Sequence, residues 1–574
     1  MPFPEGYFRN VNPDLLSRIP QSARTILEIG CGAGSLGAAY KLKNPSVRYL
    51  GIETMPGPAA LAREVLDDVI CGDVEDPAFG FADLVDVDCL VYGDVLEHLK
   101  DPWGCLARHV SLLAEDGVLL ACIPNVQHWS VIAHLLTGEW PLQDQGIFDR
   151  THLRWFTKSS IEKLIRDLDL SIHNIHSRVF AEEKCKSFVT QLLPGLQNLG
   201  LDAQAAFNGM APLQYVVSAG QHNWPQLHLH GHSELNPQAM AEVRVLQPFR
   251  ALATLPGVQC LFTNSAIKLQ EQNHLIERKV FIWQRPLFAT VESAAQSIPV
   301  LIQRGYIVVI DWDDDPGFWS PLADADYLTF KLVHAIQVST PEIADAVRPY
   351  NPNVQVFTNA LDALPVPRSA ESHNQSRGLK IFFGALNRED DWNPLIDGLN
   401  EVLRENPDFW SVAVIHDRKF YDALDLPDHQ KSFQKLCSYR DYIDELSQCD
   451  ICFMPLADTR FNRMKSDLKA VEAGAHGLAL LASCVVYQQS LVDGVTGALF
   501  DDVDGMQRHL RAWQQDPSEV RRLGERARAW VGASRLTSHQ VSERYRWYQD
   551  LCARRQQLTD QIFERVPDLA LLCS

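Results

Sequence analysis

Thr25-Ile26-Leu27-Glu28-Ile29-Gly30-Cys31-Gly32-Ala33-Gly34 decides the fold of this 574-residue chain. The apolar run predicts a buried strand, and the glycines predict a sharp turn into the amphipathic segment that follows. Glycines there let the backbone approach a nucleotide-like ligand closely. Outward from this turn, a second apolar stretch, Val47 to Ile52, ends in Glu53, about twenty residues on, where a carboxylate can accept both hydroxyls of a ribose. A third apolar stretch is followed by Asp73.

These residues resemble the class I S-adenosylmethionine-dependent methyltransferases over about the first 220 residues, judged from motif spacing. The resemblance implies that Glu28, Gly30, Gly32, Gly34, Glu53, Asp73 and Asp94 bind the cofactor, with Glu53 on the ribose and Asp73 on the adenine amine. Val91 to Leu99 looks like the fourth-strand segment beside the donor methyl, and Ile123-Pro124-Asn125 follows the fifth strand. Asp149 to Thr157 looks like a substrate-side segment of the same group. If the acceptor is a hydroxyl, a base is needed, and His98 and His152 are the candidates. Segment 124–160 carries Trp129, Trp140, Phe148, Trp155 and Phe156 and reads either as a lid over an acceptor or as an extra packing layer.

Strand-like and helical patterns alternate along the whole chain, which predicts parallel sheets covered by helices, an α/β fold. Gln221 to Pro237 is polar, holds His222, His228, His230 and His232, and reads as a solvated linker rather than a metal site. Alternation restarts with Val243–Leu246 and Val258–Phe262 as the next strands. Segment 363–377 reads as a second linker, and 504–565 as one long helical pattern. The expected domains are 1–220, a linker 221–240, then 241–365 and 378–555, with a tail 556–574.

Asn462 to Ala475 reads as a helix on which Lys465, Lys469 and Glu472 share a face. Cations near a helix start can hold a diphosphate, and an acid one turn later can take ribose hydroxyls. Gly384 ends a strand, and Arg388 just beyond it can neutralise a leaving pyrophosphate. His416-Asp417 ends the next strand toward the same cleft. Asp311 to Asp315 ends another strand and reads as an acceptor-binding or solvated turn rather than a metal site.

The second half resembles the retaining GT-B glycosyltransferases over about residues 240 to 555, judged from strand alternation. The resemblance implies a two-Rossmann-domain architecture and a nucleotide-diphosphate-sugar donor bound by Lys469 and Glu472; Gly384, Arg388 and Lys465 join them on the chemistry above, with Arg388 also a catalytic candidate. The family's second glutamate, eight positions before the ribose acid, is here Met464; Asn462 or Asp458 is the candidate substitute.

Together the resemblances imply an N-terminal Rossmann-like methyltransferase followed by a GT-B glycosyltransferase, building an O-methylated glycan of a bacterial surface polysaccharide or glycoprotein. The acceptor would be a glycan, glycolipid or glycoprotein. The alternatives are a natural-product tailoring enzyme, or a chain with one domain kept as a non-catalytic binding module. Lys+Arg 52 against Asp+Glu 72, a net charge of −20, disfavours non-specific nucleic-acid binding. No apolar run reaches the ~20 residues of a membrane helix, and Met1 to Gly6 lacks the pattern of a signal peptide. The 13 cysteines fall mostly in apolar strands, Cys449 and Cys452 included, which suits buried thiols and a cytoplasmic protein. No metal site is expected, and the sequence implies no particular oligomeric state.

Overall fold

The computed structural model describes residues 6–76, 84–234, 239–264, 266–267, 269, 278–368 and 378–573. The chain divides into two compact units: Met1–Pro225 with Ala253–Val258, and Gln226–Leu252 with Gln259–Ser574. Among the described residues, no helix is long and apolar enough to cross a membrane.

The first unit is built on one sheet of β1 (Thr25–Ile29), β2 (Arg48–Glu53), β3 (Asp68–Cys71), β4 (Val87–Gly93), β5 (Leu113–Pro124), β6 (Ser171–Arg178) and β7 (Gln214–Gly220). Its order is 3-2-1-4-5-7-6, with β7 antiparallel to both neighbours. Strand β1 lies between β2 and β4, in parallel register with both, so the direction of winding reverses there. Ligands of open α/β sheets bind at such a reversal, outside the carboxyl ends of the strands, and Gly30 follows β1 while Asp94 follows β4. Burial of apolar side chains on both faces holds the sheet, with Leu27 and Tyr92 on one side and Ile26 and Val91 on the other.

The second unit carries two sheets. The first comprises β8 (Leu227–Ser233), β9 (Val258–Asn264), β10 (Arg278–Gln284), β11 (Tyr306–Trp312), β12 (Ala335–Val338) and β13 (Val354–Val356), in the order 13-12-11-10-8-9. The other comprises β14 (Leu379–Gly384), β15 (Trp410–Ile415), β16 (Lys431–Gln434), β17 (Ile451–Met454), β18 (Ala479–Ser483) and β19 (Ala498–Phe500), in the order 16-15-14-17-18-19. All of its pairings are parallel, and its winding reverses between β14 and β17. Two such Rossmann-like halves form the GT-B arrangement.

Four expectations are corrected. Residues 227–233, read as part of a solvated linker, are β8, buried throughout and paired in parallel with β10. Its Leu-His-Leu-His-Gly-His alternation suggests a half-wet strand, yet His230 and His232 both bond Thr263 Oγ1, at 2.8 and 2.9 Å. Burial pushes the His230 imidazole down to about 4, so it sits neutral with Nε2 bonded, and a neutral ring costs far less to bury than a charged one. The GT-B part therefore opens near residue 227 rather than at 241. Val243–Leu246 is not a strand but lies in a continuous helical stretch, the turn Glu242–Leu246 running into Gln247–Leu252.

The long helical pattern 504–565 is broken into Val503–Gln515, Ser518–Ser534, Val541–Ala553 and Arg555–Arg565. Nor is 556–574 a tail. Ile562, Val566 and Leu569 pack into the core of the first GT-B sheet with Phe281, Val308 and Ile336. Residues 235–238 of the first expected linker, 369–377 of the second and residue 574 lie outside the described residues.

Candidate active sites

In the first unit the glycine turn and Glu53 meet as the spacing predicts. Gly30 and Gly32 have φ of +71° and +55°, and a Cβ on Gly32 would lie 2.9 Å from the Phe8 carbonyl oxygen. A side chain there is excluded both by backbone conformation and by space. Gly34 caps the helix Ser35–Lys41. Glu53 is 5% exposed and accepts backbone N–H groups from Gly32 and Met55, each at 2.9 Å. Asp73 stands exposed just past β3, and the Gly72 N–H to Glu53 carbonyl bond brings that turn beside β2.

Toward the ends of β1 and β4 opens a cavity of about 660 Å³, lined by Asn10 to Pro13, Glu28, Asp94, Glu97, His98, Gln143, Asp149, His152, Arg178 and Gln214 among others. The segment 124–160 thus lends Gln143, Asp149 and His152 to the wall. It is also packing, since Phe148 and Phe156 are buried, while Trp155 is half exposed. Glu28 accepts the Tyr49 hydroxyl at 3.0 Å, and burial pushes its carboxyl up to about 8 despite that bond. Burial likewise pushes Asp94 up to about 6.

Glu97 was legible in the sequence only as part of its motif. It is 1% exposed, and neither carboxylate oxygen has a hydrogen-bond partner. His152 Nε2 lies 3.9 Å from its Oε1. Burial, with Asp94 second, holds the Glu97 carboxyl well above the usual range. His98 and His152, expected separately as bases, lie together with ring centroids 4.8 Å apart. Burial holds both imidazoles below their usual range. His98 Nδ1 faces the Thr151 carbonyl at 3.3 Å and the Thr151 hydroxyl at 3.0 Å, while that hydroxyl donates to Asp149 at 2.6 Å. A carbonyl can only accept, so Nδ1 carries the proton and Nε2 keeps its lone pair. The sequence marks Asp149 to Thr157 as a segment but gives Thr151 and Asp149 no role of their own, because the ring they orient lies 53 residues away in the chain.

In the second unit a cleft of about 210 Å³ lies between its two halves, lined by Arg285 and Asp313 on one side and by Gly384, Arg388, Tyr442, Met454, Lys465 and Lys469 on the other, among others. Gly384 ends β14 and Met454 ends β17, so the cleft sits at the winding reversal. The expected single helix 462–475 is two, Arg460–Arg463 and Leu468–Ala475. Lys465 is therefore in the connection rather than on the helix face, and donates to Asp314 at 2.7 Å.

Lys469 stays on the first turn of the second helix, with Glu472 one turn later, as expected. Its ammonium donates to the Gly384 carbonyl, and burial holds it below the usual lysine range. Glu472 is 3% exposed and accepts the Tyr439 hydroxyl at 2.8 Å; burial pushes its carboxyl up to about 7. Tyr439 had no sequence signal of its own.

Arg388 donates to Asn462 at 2.7 Å and to Asp391 at 3.1 Å. Asn462 also donates to Asp391 and to the Ala457 carbonyl, so it is a buried bracket for Arg388. Asp458 is tied to Arg463 in an exposed pair at 2.6 Å. Met464 packs against the core of the first sheet. The acidic run is not a solvated turn: Asp311, Asp313, Asp314 and Asp315 are buried. They pair with Arg244, Arg285, Lys465 and Arg460 respectively. Asp417 caps the helix Arg418–Ala423 and accepts Trp392 Nε1, a structural role. Cys449 and Cys452 are buried free thiols.

A family model described as a methyltransferase domain matches residues 27–119, and one described as glycosyl transferase-like matches residues 399–546. Trans-aconitate 2-methyltransferase of Escherichia coli O139:H28 is 30% identical over 127 residues, 22% of this chain and 49% of the relative. The enzyme of that name from Methylobacterium nodulans is 31% identical over 119 residues, 20% of this chain and 43% of the relative. The chain thus spans about half the length of the curated relatives it matches. Among solved structures, HepE of Anabaena in complex with UDP-glucose covers 56% of this chain at 12% identity and a TM-score of 0.41, with 99% of its own chain covered. Sucrose-phosphate synthase from Thermosynechococcus elongatus covers 57% at 13% identity and a TM-score of 0.40, with 100% of its own chain covered. The fold rests on the strand orders above and not on these likenesses. The chain is a fusion of a methyltransferase domain with a glycosyltransferase domain.

Proposed function

We propose that the chain both methylates and glycosylates, using S-adenosylmethionine in the first unit and a nucleotide-diphosphate sugar in the second, and that the product is an O-methylated glycan. The reading is carried by a buried carboxylate beside each winding reversal: Glu53 against the glycine turn, and Glu472 one turn from Lys469.

The residues of the first unit fit the cofactor. Glu53 uses two acceptor positions on Gly32 and Met55, and a carboxylate offers about four, so two remain for ribose hydroxyls. Gly32 makes room for the Phe8 carbonyl, which accepts the Ala33 N–H at 2.9 Å, and gives its own N–H to Glu53. The cavity's carboxyl groups suit a positively charged donor, which supplies an electrophilic methyl group when bound. The same carboxyl groups argue against a polycarboxylate acceptor such as the one in the relatives' name. Arg178, the guanidinium in the wall, is bound to Asp14 at 2.7 Å. A neutral hydroxyl acceptor suits this lining better, and the neutral rings of His98 and His152 are the groups at hand for its proton.

In the second unit Lys465, Lys469 and Arg388 would neutralise the departing diphosphate, with Glu472 on the donor ribose. Asn462 positions Arg388 and does not replace the missing second glutamate. The test is incubation of the full chain with radiolabelled S-adenosylmethionine and, separately, with a panel of labelled nucleotide sugars, using oligosaccharide acceptors. Label should pass from both donors. Calorimetry showing that neither donor binds would overturn the reading.

A further inference from the structure

We infer that Glu97, His98 and His152 bind a divalent transition-metal ion in the wall of the first unit's cavity, and that the acceptor's hydroxyl oxygen binds to that ion. The cation site stands on geometry alone; its part in methyl transfer rests on the function proposed above.

The donor atoms come from three positions that the fold brings together. Glu97 and His98 lie in the short turn Leu96–His98 after β4, and His152 comes from the segment that walls the cavity. Among the described residues this is the group of histidine, cysteine and acidic side chains whose donor atoms gather, all within 4.8 Å of one another. Donors about 2.0–2.2 Å from one ion lie at most about 4.4 Å apart, so small side-chain rotations close the site.

Three observations point to a cation rather than to packing. The Glu97 carboxylate is 1% exposed and has no hydrogen-bond donor on either oxygen. Such a group is expensive to bury and is normally paired or on a metal. The proton on His98 Nδ1 is fixed by the Thr151 carbonyl and hydroxyl, and that hydroxyl is held by Asp149. This carboxylate-to-histidine relay is how metal-binding imidazoles are oriented, and it leaves the Nε2 lone pair available. His152 in turn points its Nε2 toward Glu97, 3.9 Å from Oε1.

Two imidazoles and one carboxylate are a donor set for zinc, iron, cobalt or manganese rather than for magnesium or calcium, which favour oxygen ligands. Three protein donors leave positions open for substrate oxygen. A hydroxyl bound there loses its proton to solvent more easily, as metal-bound water does. The two imidazoles then act through the ion and not as bases.

The test is a Co²⁺ titration of the full, untagged chain after chelator treatment, read by calorimetry and by visible absorption. The wild type should take up one tight equivalent, reversed by chelator and not displaced by excess Mg²⁺. Glu97→Gln should lose that equivalent. Thr151→Val, which removes the hydroxyl that orients His98, should weaken it about tenfold. Glu97→Gln replaces a buried carboxyl that no side chain pairs by a neutral amide of the same shape, so it should melt no lower than the wild type without metal; His152→Gln is a second, independent ligand deletion. Equal Co²⁺ binding by wild type, Glu97→Gln and His152→Gln would overturn the inference, as would no tight binding by the wild type. S-adenosylmethionine binding without Co²⁺ binding would sink the metal site and leave the proposed function standing. Co²⁺ binding without S-adenosylmethionine binding would do the reverse.

Discussion

The cavity of the first unit and the cleft of the second treat their charges in opposite ways. Around the cavity, Glu97 is buried with no hydrogen bond. Around the cleft, the three candidate cations are already engaged: Lys465 by Asp314, Lys469 by the Gly384 carbonyl, and Arg388 by Asn462 and Asp391. The lesson is that the two sites ask different things of a ligand. The cavity gains by receiving positive charge. The cleft must give up contacts it has made, so a diphosphate binds there by exchange, and only interactions that strengthen as the sugar departs speed the reaction.

Lys469→Ala breaks the cleft side of this contrast most severely. Loss of a cation aimed at the leaving group should lower glycosyl transfer by at least about 100-fold, the scale of a deleted charge-stabilising donor. Donor affinity should fall with it while methyl transfer is unchanged. Calorimetry with unaltered donor affinity would remove the residue from its role.

Glu53→Ala is the matching change in the first unit. Two charge-assisted bonds, to Gly32 and Met55, are lost, each of about 1.5–3 kcal/mol. Binding of S-adenosylmethionine should weaken beyond detection by calorimetry, and a chemical denaturation curve should show the first unit less stable. Retained cofactor affinity would show that the glycine turn does not need its carboxylate.

Asp314→Asn tests the exchange argument with a smaller effect of opposite sign. The pair with Lys465 is 2.7 Å long and partly exposed, so its net strength is modest. Freed from Asp314, Lys465 should bind a nucleoside diphosphate severalfold more tightly in equilibrium titration. Unchanged or weaker binding would mean that the pair steadies the cleft rather than competing for it.

Much of this was legible because strand-end motifs are local. Gly30 to Gly34 with Glu53, and Lys469 with Glu472, are each written within one or two elements, and sheet pairing brings them together without further information. Lys465 was misplaced because the helix pattern runs through residues 464–467, where the backbone leaves the helix and Met464 packs on the other half of the unit. β8 was misread because three histidines look polar, whereas the core holds them as neutral rings and Thr263 bonds two of them. The terminal helices were read as a tail because nothing in an amphipathic pattern says which sheet it will cover. Tyr439 and Thr151 had no readable role because each acts on a side chain that only tertiary structure brings near, and Asp149 acts through Thr151, two residues on.

The smallest effect compares the buried carboxyls of the two units through pH. Glu28 is raised from 4.5 to about 8, and Glu472 from 4.5 to about 7. Burial is the main cause in both, and Tyr49 or Tyr439 opposes it; Glu472 is drawn down further by Lys469. Between the ordinary value and the raised one, the folded chain holds a proton that the unfolded chain releases. Stability from each group is therefore complete below pH 4.5 and is lost as pH rises to about 8 for Glu28 and about 7 for Glu472. Glu28→Gln keeps an acceptor for the Tyr49 hydroxyl but does not titrate. Its stability relative to wild type should rise with pH across that window, by no more than about 1.4 kcal/mol per pH unit, and level off above about 8. Glu472→Gln should level off about one unit earlier. Urea denaturation at pH 5, 6.5 and 8 with a flat difference for Glu28→Gln would show that its carboxylate is charged at neutral pH, and the electrostatic contrast between cavity and cleft would then have to be redrawn with Glu28 as a buried charge.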